Sequence, residues 1–218
     1  MTTPAPTWRA ERALWRAGHA RVAGVDEVGR GPLAGPVVAG AVVLPASRAS
    51  WLRALRDSKV LCAAAREELA AAVRAHADWG IGVASSHVID EIGIVQATRL
   101  AMRRAVLALH EPADALIVDG REVVTCGLPQ RAIVGADALC VSVAAASIVA
   151  KVARDAMMRA WDAEVPGYGF AEHKGYATAV HRAALARLGP STLHRLTWAP
   201  VRAAARGLAA AREAAAAR

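Results

Sequence analysis

Four acidic residues stand where apolar, strand-like segments end, and their chemistry suits metal ions. Asp26 and Glu27 follow "VAGV", Asp119 follows "ALIV", and Asp137 comes shortly after "RAIV". If these segments are neighbouring strands, the carboxylates converge, and like charges that close do not all stay ionised unless a cation neutralises them. Oxygen ligands alone favour hard cations such as Mg²⁺ or Mn²⁺. Two such ions could hold the attacking and leaving oxygens of a phosphoryl displacement.

The adjacency of Asp26 and Glu27 raises a geometric difficulty. Consecutive residues of a regular strand face opposite sides of the sheet. We therefore expect a bulge or turn in the backbone at this point, so that both carboxylates reach one site. A single acid at a strand end is more often a loop residue or a helix cap, and it is the set of four that favours a metal site.

A glycine-rich segment, "GRGPLAG", follows the first pair of acids directly. Gly29 and Gly31 lack the Cβ atoms that would keep the main chain away from a ligand, so their amides could touch a sugar or phosphate while Arg30 adds positive charge. The alternative is a plain turn between two strands. A nucleotide-binding P-loop is excluded, because the segment lacks the lysine of G-x-x-x-x-G-K-[ST].

Two further groups of polar residues are candidates for substrate binding. Ser147, Lys151 and Arg154 recur at intervals of four and three, which places them on one helix face, either solvated or bound to phosphate. Tyr176 lies in "EHKGYAT" and could stack on a sugar or base, although a structural tyrosine is the simpler interpretation.

The elements that must position these residues follow from periodicity and turn signals. The predicted elements are a helix over 7–20, strands over 22–25 and 37–44, a helix from a cap at Asp57 or Ser58 to Ala77, a strand over 79–84, one long helix within 85–109, strands over 114–119 and 131–134, and a helix over 143–161. An initial cluster of strands followed by alternating strands and helices predicts an α/β fold, with a mixed sheet flanked by helices.

Composition limits the class of protein. The 218 residues are 55% hydrophobic, which is enough to bury a core, and the net charge of +8 favours polyanions as partners, although a coding bias towards arginine would give the same charge. Three scattered cysteines indicate neither disulfides nor zinc. The N-terminus lacks the apolar core of a secretory signal, and no apolar stretch approaches the ~20 residues that span a bilayer. We expect a cytoplasmic monomer that does not bind membranes.

Taken together, these segments resemble the type 2 ribonuclease H family, the bacterial ribonucleases HII. The matching stretches are "GVDEVGRGPLAGPVVAGAVVL", "DSKVL", "IDEIGIVQATRLAMRRAV", "IVDG", "DALCVSVAAASIVAKVARDAMM" and "YGFAEHKGYATAVHRAALARLGPSTLHRLTWAPV". The resemblance implies a ribonuclease H-like mixed sheet flanked by helices with a helical C-terminal extension. We accordingly predict an N-terminal helix over 1–20 packed on the core, a catalytic core over 21–162 and a loop-and-helix extension over 163–218.

The resemblance also implies an activity and a set of site residues. The activity is metal-dependent cleavage of RNA paired with DNA, together with incision on the 5′ side of ribonucleotides embedded in duplex DNA, leaving a 3′-hydroxyl and a 5′-phosphate. The implied metal ligands and catalytic acids are Asp26, Glu27, Asp119 and Asp137. The implied loop that senses the 2′-hydroxyl consists of Gly29, Arg30 and Gly31. Tyr176 would stack on the sugar at the RNA–DNA junction, and Lys59 in "DSKVL" is a further substrate-binding residue.

Four positions depart from the pattern of the family. Gly135 and Ala136 precede the last acid where Lys-Gly is usual, Gly93 stands where asparagine is common, and Cys62 stands where Ser or Thr often caps a helix. The missing lysine removes a positive charge close to the predicted path of the phosphates, so it could weaken substrate binding or change its response to salt.

Two alternatives remain open at this point. A nuclease of the same fold that acts on DNA alone would cut an all-DNA duplex as well as a chimeric one. A basic binding module without catalysis would show steep salt dependence and no products, but its carboxylates would repel a polyphosphate unless metal were present.

Overall fold

The computed structural model describes residues 5–45, 47 and 49–216. Within them, the strands are β1 (Val22–Val28), β2 (Val37–Val43), β3 (Asp78–Ala84), β4 (Ala115–Asp119) and β5 (Gln130–Ile133). The helices are α1 (Arg9–Arg16), α2 (Ser50–Ala54), α3 (Ala63–His76), α4 (Ser86–Leu107), α5 (Ala136–Leu139), α6 (Val141–Glu164), α7 (Phe170–His173), α8 (Ala179–Leu188) and α9 (Ala199–Ala216).

The strands form one mixed sheet in the order β3-β2-β1-β4-β5. β1 pairs antiparallel with β2, and it pairs parallel with β4, which in turn pairs parallel with β5. Parallel neighbours end at the same edge of a sheet, so the ends of β1 and β4 lie side by side. The predicted α/β fold with a mixed sheet and a helical C-terminal region is confirmed.

Two compact units are distinguished by their internal contacts, and each is described by itself. The first comprises residues 1–28, 38–83 and 98–153, and the second comprises 29–37, 84–97 and 154–218. The three predicted regions, 1–20, 21–162 and 163–218, remain a prediction. Among the described residues, no helix is both long enough and apolar enough to cross a membrane.

In the first unit, helix α6 lies directly on the neighbouring strands β1 and β2. A Cβ built on Gly24 of β1 would come 2.2 Å from the carbonyl carbon of Ser142, and one on Gly40 of β2 would come 2.5 Å from the oxygen of Ala146. Any larger residue would push helix and sheet apart. The glycines of the strands and the buried alanines of α6 therefore set a close approach between helix and sheet.

Two predictions about helices in the sequence were wrong. The helix expected to begin at Asp57 or Ser58 begins at Ala63, because Ser58 is buried and hydrogen-bonds through its hydroxyl to Ser147 at 2.8 Å instead of capping a helix. The long helix α4 is interrupted at Gly93, whose φ of 78° and ψ of 158° lie outside the helical region. Such backbone angles are essentially restricted to glycine.

The second unit has a core of aromatic and histidine rings. The ring of Tyr168 stacks on Phe170 with centroids 5.2 Å apart, and the edge of Phe170 meets His181 at 5.6 Å. The hydroxyl of Tyr168 donates to the carbonyl of Gly189 at 2.7 Å, so this buried polar group is satisfied.

Candidate active site

Three carboxylates gather at the end of the parallel strands. Oxygen atoms of Asp26, Glu27 and Asp119 all lie within 4.8 Å of one another. The pairing of β1 with β2 runs without a break to Val28, with Asp26 opposite Gly40, so the bulge expected from the sequence is absent and that prediction was wrong. The carboxylate of Glu27 nevertheless reaches the cluster, although Glu27 directly follows Asp26 in a regularly paired strand.

The cluster is electrostatically unfavourable without a cation. Burial raises the pKa of Asp26 well above its ordinary value, and the charges of Glu27 and Asp119 raise it further, while a hydrogen bond from Ser147 acts in the opposite direction. Burial also raises the pKa of Asp119, even though the amide of Ala136 donates to its carboxylate at 2.6 Å. Both shifts show that the folded chain disfavours full ionisation of these acids.

The fourth predicted acid, Asp137, has a different partner. It lies in the first turn of α5, and the ammonium of Lys59 donates to its Oδ2 at 2.8 Å. Burial lowers the pKa of Lys59, but the hydrogen bond and charge of Asp137, together with Asp57 and Asp26, outweigh this and raise it. Asp137 also raises the pKa of Asp26 and of Asp119 by its charge, so it acts on the same cluster.

The donor set fits a hard divalent cation. The candidate ligand atoms that converge in the cluster are carboxylate oxygens, and such ligands suit Mg²⁺ or Mn²⁺ rather than the softer metals that thiolates or imidazoles bind. A bound cation would offset the repulsion that raises these pKa values. Asp26, Glu27 and Asp119 could ligate it directly, and Asp137 could do so by exchanging its contact with Lys59.

The two glycines flanking Arg30 serve different purposes. Gly29 has a φ of 89°, and a Cβ on it would lie 2.2 Å from Nε of Arg154, so the missing side chain makes room for an arginine and not for a ligand. At Gly31 the nearest atom to a Cβ would be in the ring of Tyr176, at 3.9 Å, which is an ordinary contact. Within the second unit, Gly31 and the ring of Tyr176 are therefore neighbours.

Tyr176 presents its ring to solvent from a firmly held backbone. Its side chain is 43% exposed. Its amide donates to the carbonyl of His173 at 2.9 Å, and its own carbonyl accepts from Nδ1 of His181 at 2.9 Å and from the amide of Thr178 at 2.8 Å. An exposed aromatic ring on a fixed backbone is suited to stacking.

Two buried histidines, His181 and His194, hydrogen-bond to each other, and His181 also contacts the backbone of Tyr176. Their tautomers can be assigned from these contacts. Nδ1 of His181 faces the carbonyl of Tyr176 and must carry a proton, which leaves its Nε2 to accept from Nε2 of His194 at 3.0 Å. Nδ1 of His194 in turn accepts from the amide of Ser191 at 3.0 Å. Each nitrogen is satisfied with both rings neutral, and burial lowers the pKa of His181 and takes that of His194 to about 4.

The polar stripe on α6 is not a solvated face. Ser147 is buried against Ser58, Lys151 is half-buried, and Arg154 has no exposed surface at all. The guanidinium of Arg154 donates to backbone carbonyls, including that of Pro36 at 3.0 Å. Arg154 therefore cannot reach a phosphate in this conformation, which corrects the idea that it binds substrate directly.

Sequence reasoning missed several residues that support the site. Ser58 was predicted only as a helix cap and Arg195 was given no role, although Ser58 hydrogen-bonds to Ser147 and the buried Arg195 donates to the carbonyl of Arg30 at 2.7 Å. Neither residue belongs to a sequence motif that would distinguish it from an ordinary polar residue. Their contacts join residues far apart in the chain, so no local signal could have revealed them.

A mixed sheet whose parallel central strands end in clustered carboxylates defines a hydrolase of the ribonuclease H-like fold. The model of the family described as Ribonuclease HII matches residues 23–201. The chain belongs to the ribonuclease HII family. It is an endoribonuclease of the ribonuclease H type, which acts on the RNA of RNA–DNA hybrids.

Individual relatives and structures agree with this membership. The chain is 53% identical to a Ribonuclease HII of Syntrophotalea carbinolica over 88% of this chain and 91% of that protein, and 53% identical to one of Moorella thermoacetica over 86% and 91%. Among solved structures, it is similar to the ribonuclease H2 of Pyrococcus horikoshii, with a TM-score of 0.74, 26% identity, and 86% and 98% of the two chains covered. A complex of PCNA with the ribonuclease HII of Archaeoglobus fulgidus gives a TM-score of 0.69 at 28% identity, with 82% and 95% covered.

Proposed function

We propose that this enzyme nicks duplex DNA on the 5′ side of embedded ribonucleotides, leaving a 3′-hydroxyl and a 5′-phosphate, in addition to hydrolysing RNA in hybrids. We further propose that it uses two divalent ions, Mg²⁺ or Mn²⁺, and that it serves ribonucleotide removal in replication and repair. The observation that carries the proposal is the cluster of buried Asp26 with half-buried Glu27 and Asp119, and the raised pKa values of Asp26 and Asp119 support a site built for cations.

The acids have distinct tasks in this proposal. Asp26 would be a ligand of the ions, because it is the most buried of the cluster, at 4% exposed, and the charges of Glu27 and Asp119 both raise its pKa. Asp137 would complete the ligand set by exchanging its contact with Lys59. Bound divalent ions supply an activated water and neutralise the charge that develops on the phosphate. The chain's own contribution is to hold Asp26, Glu27 and Asp119 near the ends of hydrogen-bonded strands.

Recognition of the ribonucleotide would come from the glycine loop, residues 29–36, and from Tyr176. Only the 2′-hydroxyl distinguishes a ribonucleotide from its neighbours in a DNA strand, and an exposed amide at Gly31 can hydrogen-bond it. The ring of Tyr176 would stack on the following deoxyribose, where an additional hydroxyl would be unfavourable. Arg30 would add positive charge for the phosphates.

The remaining candidates would act on phosphate or through other residues. The ammonium groups of Lys59 and Lys151 would attract the backbone of the nucleic acid. Ser147 would act indirectly, because its hydroxyl bonds to Ser58 and contacts Asp26. Arg154 would act through the glycine loop, whose carbonyls it holds.

The test is to incubate an end-labelled duplex carrying one ribonucleotide with Mg²⁺, Mn²⁺ or a chelator, and to map the cut. We expect a single nick on the 5′ side of the ribonucleotide with either metal, and none with chelator. An all-DNA duplex serves as the control, and cutting of that duplex at a similar rate would contradict the proposal in favour of a DNA nuclease. A nick on the 3′ side would contradict the assigned chemistry.

A further inference from the structure

Two fully buried arginines of the second unit surround the glycine loop. Arg154 and Arg195 each have 0% of their surface exposed. A buried guanidinium is costly unless its donors are satisfied. The guanidinium groups of Arg154 and Arg195 donate hydrogen bonds to main-chain carbonyls, and these bonds fix the path of the glycine loop.

Arg195 binds the loop through all three nitrogens of its guanidinium. Its Nη1 donates to the carbonyl of Arg30 at 2.7 Å, its Nη2 donates to the carbonyl of Gly29, and Nε and Nη2 both donate to the carbonyl of Gly35, at 3.1 and 3.0 Å. Its own amide donates to the carbonyl of Leu33 at 2.9 Å. One residue therefore holds the loop at both of its ends and in its middle.

Arg154 binds the other side of the same loop. Its Nε donates to the carbonyl of Pro36 at 3.0 Å, its Nη2 to that of Ala34 at 3.2 Å, and its Nη1 to that of Lys174 at 3.0 Å. The lysine carbonyl belongs to the turn that precedes Tyr176. Arg154 thus joins the glycine loop to the segment that carries the tyrosine.

These contacts determine the direction of the amides. In a trans peptide the carbonyl of one residue and the N–H of the next point in opposite directions, and no cis peptide bond occurs in the described part of the chain. Because Arg195 draws the carbonyls of Gly29 and Arg30 towards itself, the N–H groups of Arg30 and Gly31 point away from the buried guanidinium. The loop then presents two consecutive amides on its outer side.

We propose that Arg195, assisted by Arg154, is the positioning residue for ribose recognition: it holds the carbonyls of the glycine loop inward so that the amides of Arg30 and Gly31 are fixed outward for the 2′-hydroxyl. The inference rests on the proposed function, since it explains how discrimination between ribose and deoxyribose is set. Arginine is required because its planar fork serves several carbonyls at once, whereas lysine carries its charge at a single nitrogen.

The test compares R195K with R202K, which changes an exposed arginine of α9 in the same unit. Affinities for a duplex with one ribonucleotide and for the all-DNA duplex are measured with Ca²⁺ in place of Mg²⁺, so that binding is observed without turnover. Losing the alignment of one hydrogen bond should lower the ratio of the two affinities about tenfold in R195K. Affinity for the all-DNA duplex should stay within about twofold, because phosphate contacts dominate it, and R202K should keep the wild-type ratio.

A second readout does not depend on substrate. Amide hydrogen exchange of residues 29–36 should accelerate in R195K and remain unchanged in R202K. A variant R195K that retains both the wild-type ratio and the wild-type exchange would overturn the inference. If R195K fails to fold, R154K takes its place, because it removes the contacts to Ala34 and Pro36 of the same loop.

Failure of the proposed function gives a different result from failure of this inference. If the wild type itself does not prefer the ribonucleotide duplex, the proposed function fails whatever the variants do. The rate of amide hydrogen exchange in the glycine loop then still shows whether Arg195 holds that loop in place. Unchanged exchange in both R195K and R154K would show that neither arginine fixes the loop.

Discussion

Replacing Asp26 by asparagine should stabilise the metal-free protein while abolishing its activity. Oxygens of Asp26, Glu27 and Asp119 lie within 4.8 Å of one another. At that distance and an effective dielectric constant near 20, two unit charges repel by about 3 kcal/mol. Partial protonation and solvent screening reduce this, so we expect D26N to gain ~1–3 kcal/mol in free energy of unfolding at pH 8 in the presence of a chelator.

The gain in free energy of unfolding of D26N should increase as pH rises. The pKa of Asp26 is raised in the folded state, so the folded chain retains a proton that the unfolded chain has released. The contribution of Asp26 to wild-type stability therefore falls as pH rises above the ordinary carboxyl pKa of 3.8 towards the folded value, and D26N lacks this loss. The difference between the two proteins should be small at pH 4 and should grow towards pH 8.

The assay is urea denaturation followed by circular dichroism from pH 4 to pH 8 with chelator. D78N is the matched control, because Asp78 accepts from the amides of His110 and Glu111 and from Arg21, and these bonds outweigh burial and lower its pKa. The same substitution there should destabilise by about 1.5–3 kcal/mol, as expected for charge-assisted hydrogen bonds. If D26N is less stable than the wild type at pH 8, or the difference does not vary with pH, the electrostatic reasoning is refuted.

The same variant should lose its response to metal and its catalysis. Free Mg²⁺ at 100 times its dissociation constant should stabilise the wild type by about 2.7 kcal/mol. D26N should show little of this stabilisation. Loss of ~4 kcal/mol of transition-state stabilisation corresponds to about a thousandfold lower cleavage rate. Full activity of D26N with Mg²⁺ would show that the acids have been assigned the wrong role.

Three other outcomes follow from the structure. Gly24→Ala should cost at least ~2 kcal/mol of stability because its Cβ would overlap the backbone of α6, whereas Gly207→Ala, with nothing within 4 Å, should stabilise α9 by ~0.5–1 kcal/mol in thermal unfolding. Tyr176→Ala should lower cleavage selectively at single ribonucleotides, and equal losses on long hybrids would indicate a general structural role. With the pKa of His194 at about 4, the contribution of His194 to stability should fall by about 3 kcal/mol as pH drops from 6.5 to 4, and the difference between the wild type and H194Q should change with pH accordingly.

The sheet and the acids could be predicted from the sequence because both depend on local patterns. Apolar runs rich in β-branched residues mark β1 and β4, and the acids follow these runs directly. The parallel pairing of these strands then brings Asp26 and Asp119 to one edge. Trp8 and Trp15 lie seven positions apart in the sequence of the predicted N-terminal helix, a spacing that places them near one helix face, and in the structure their rings lie 5.6 Å apart.

The sequence-based predictions that were wrong concern residues whose contacts join distant parts of the chain. Ser58 resembles a helix cap in the sequence, but its hydroxyl is taken by Ser147, eighty-nine positions away. Arg154 resembles part of a solvated stripe, but it fills the space left by the missing Cβ of Gly29. The purpose of that glycine was therefore misread, because a sequence shows that a side chain is missing without showing what occupies its place.

The central claim is that Asp26, Glu27 and Asp119 hold divalent ions. An anomalous difference map from crystals soaked in Mn²⁺ tests it directly. The account predicts manganese peaks bound by these carboxylates in the wild type, and their loss in D26N crystals soaked in the same way. Manganese bound elsewhere, with no peak between these three side chains, would contradict it.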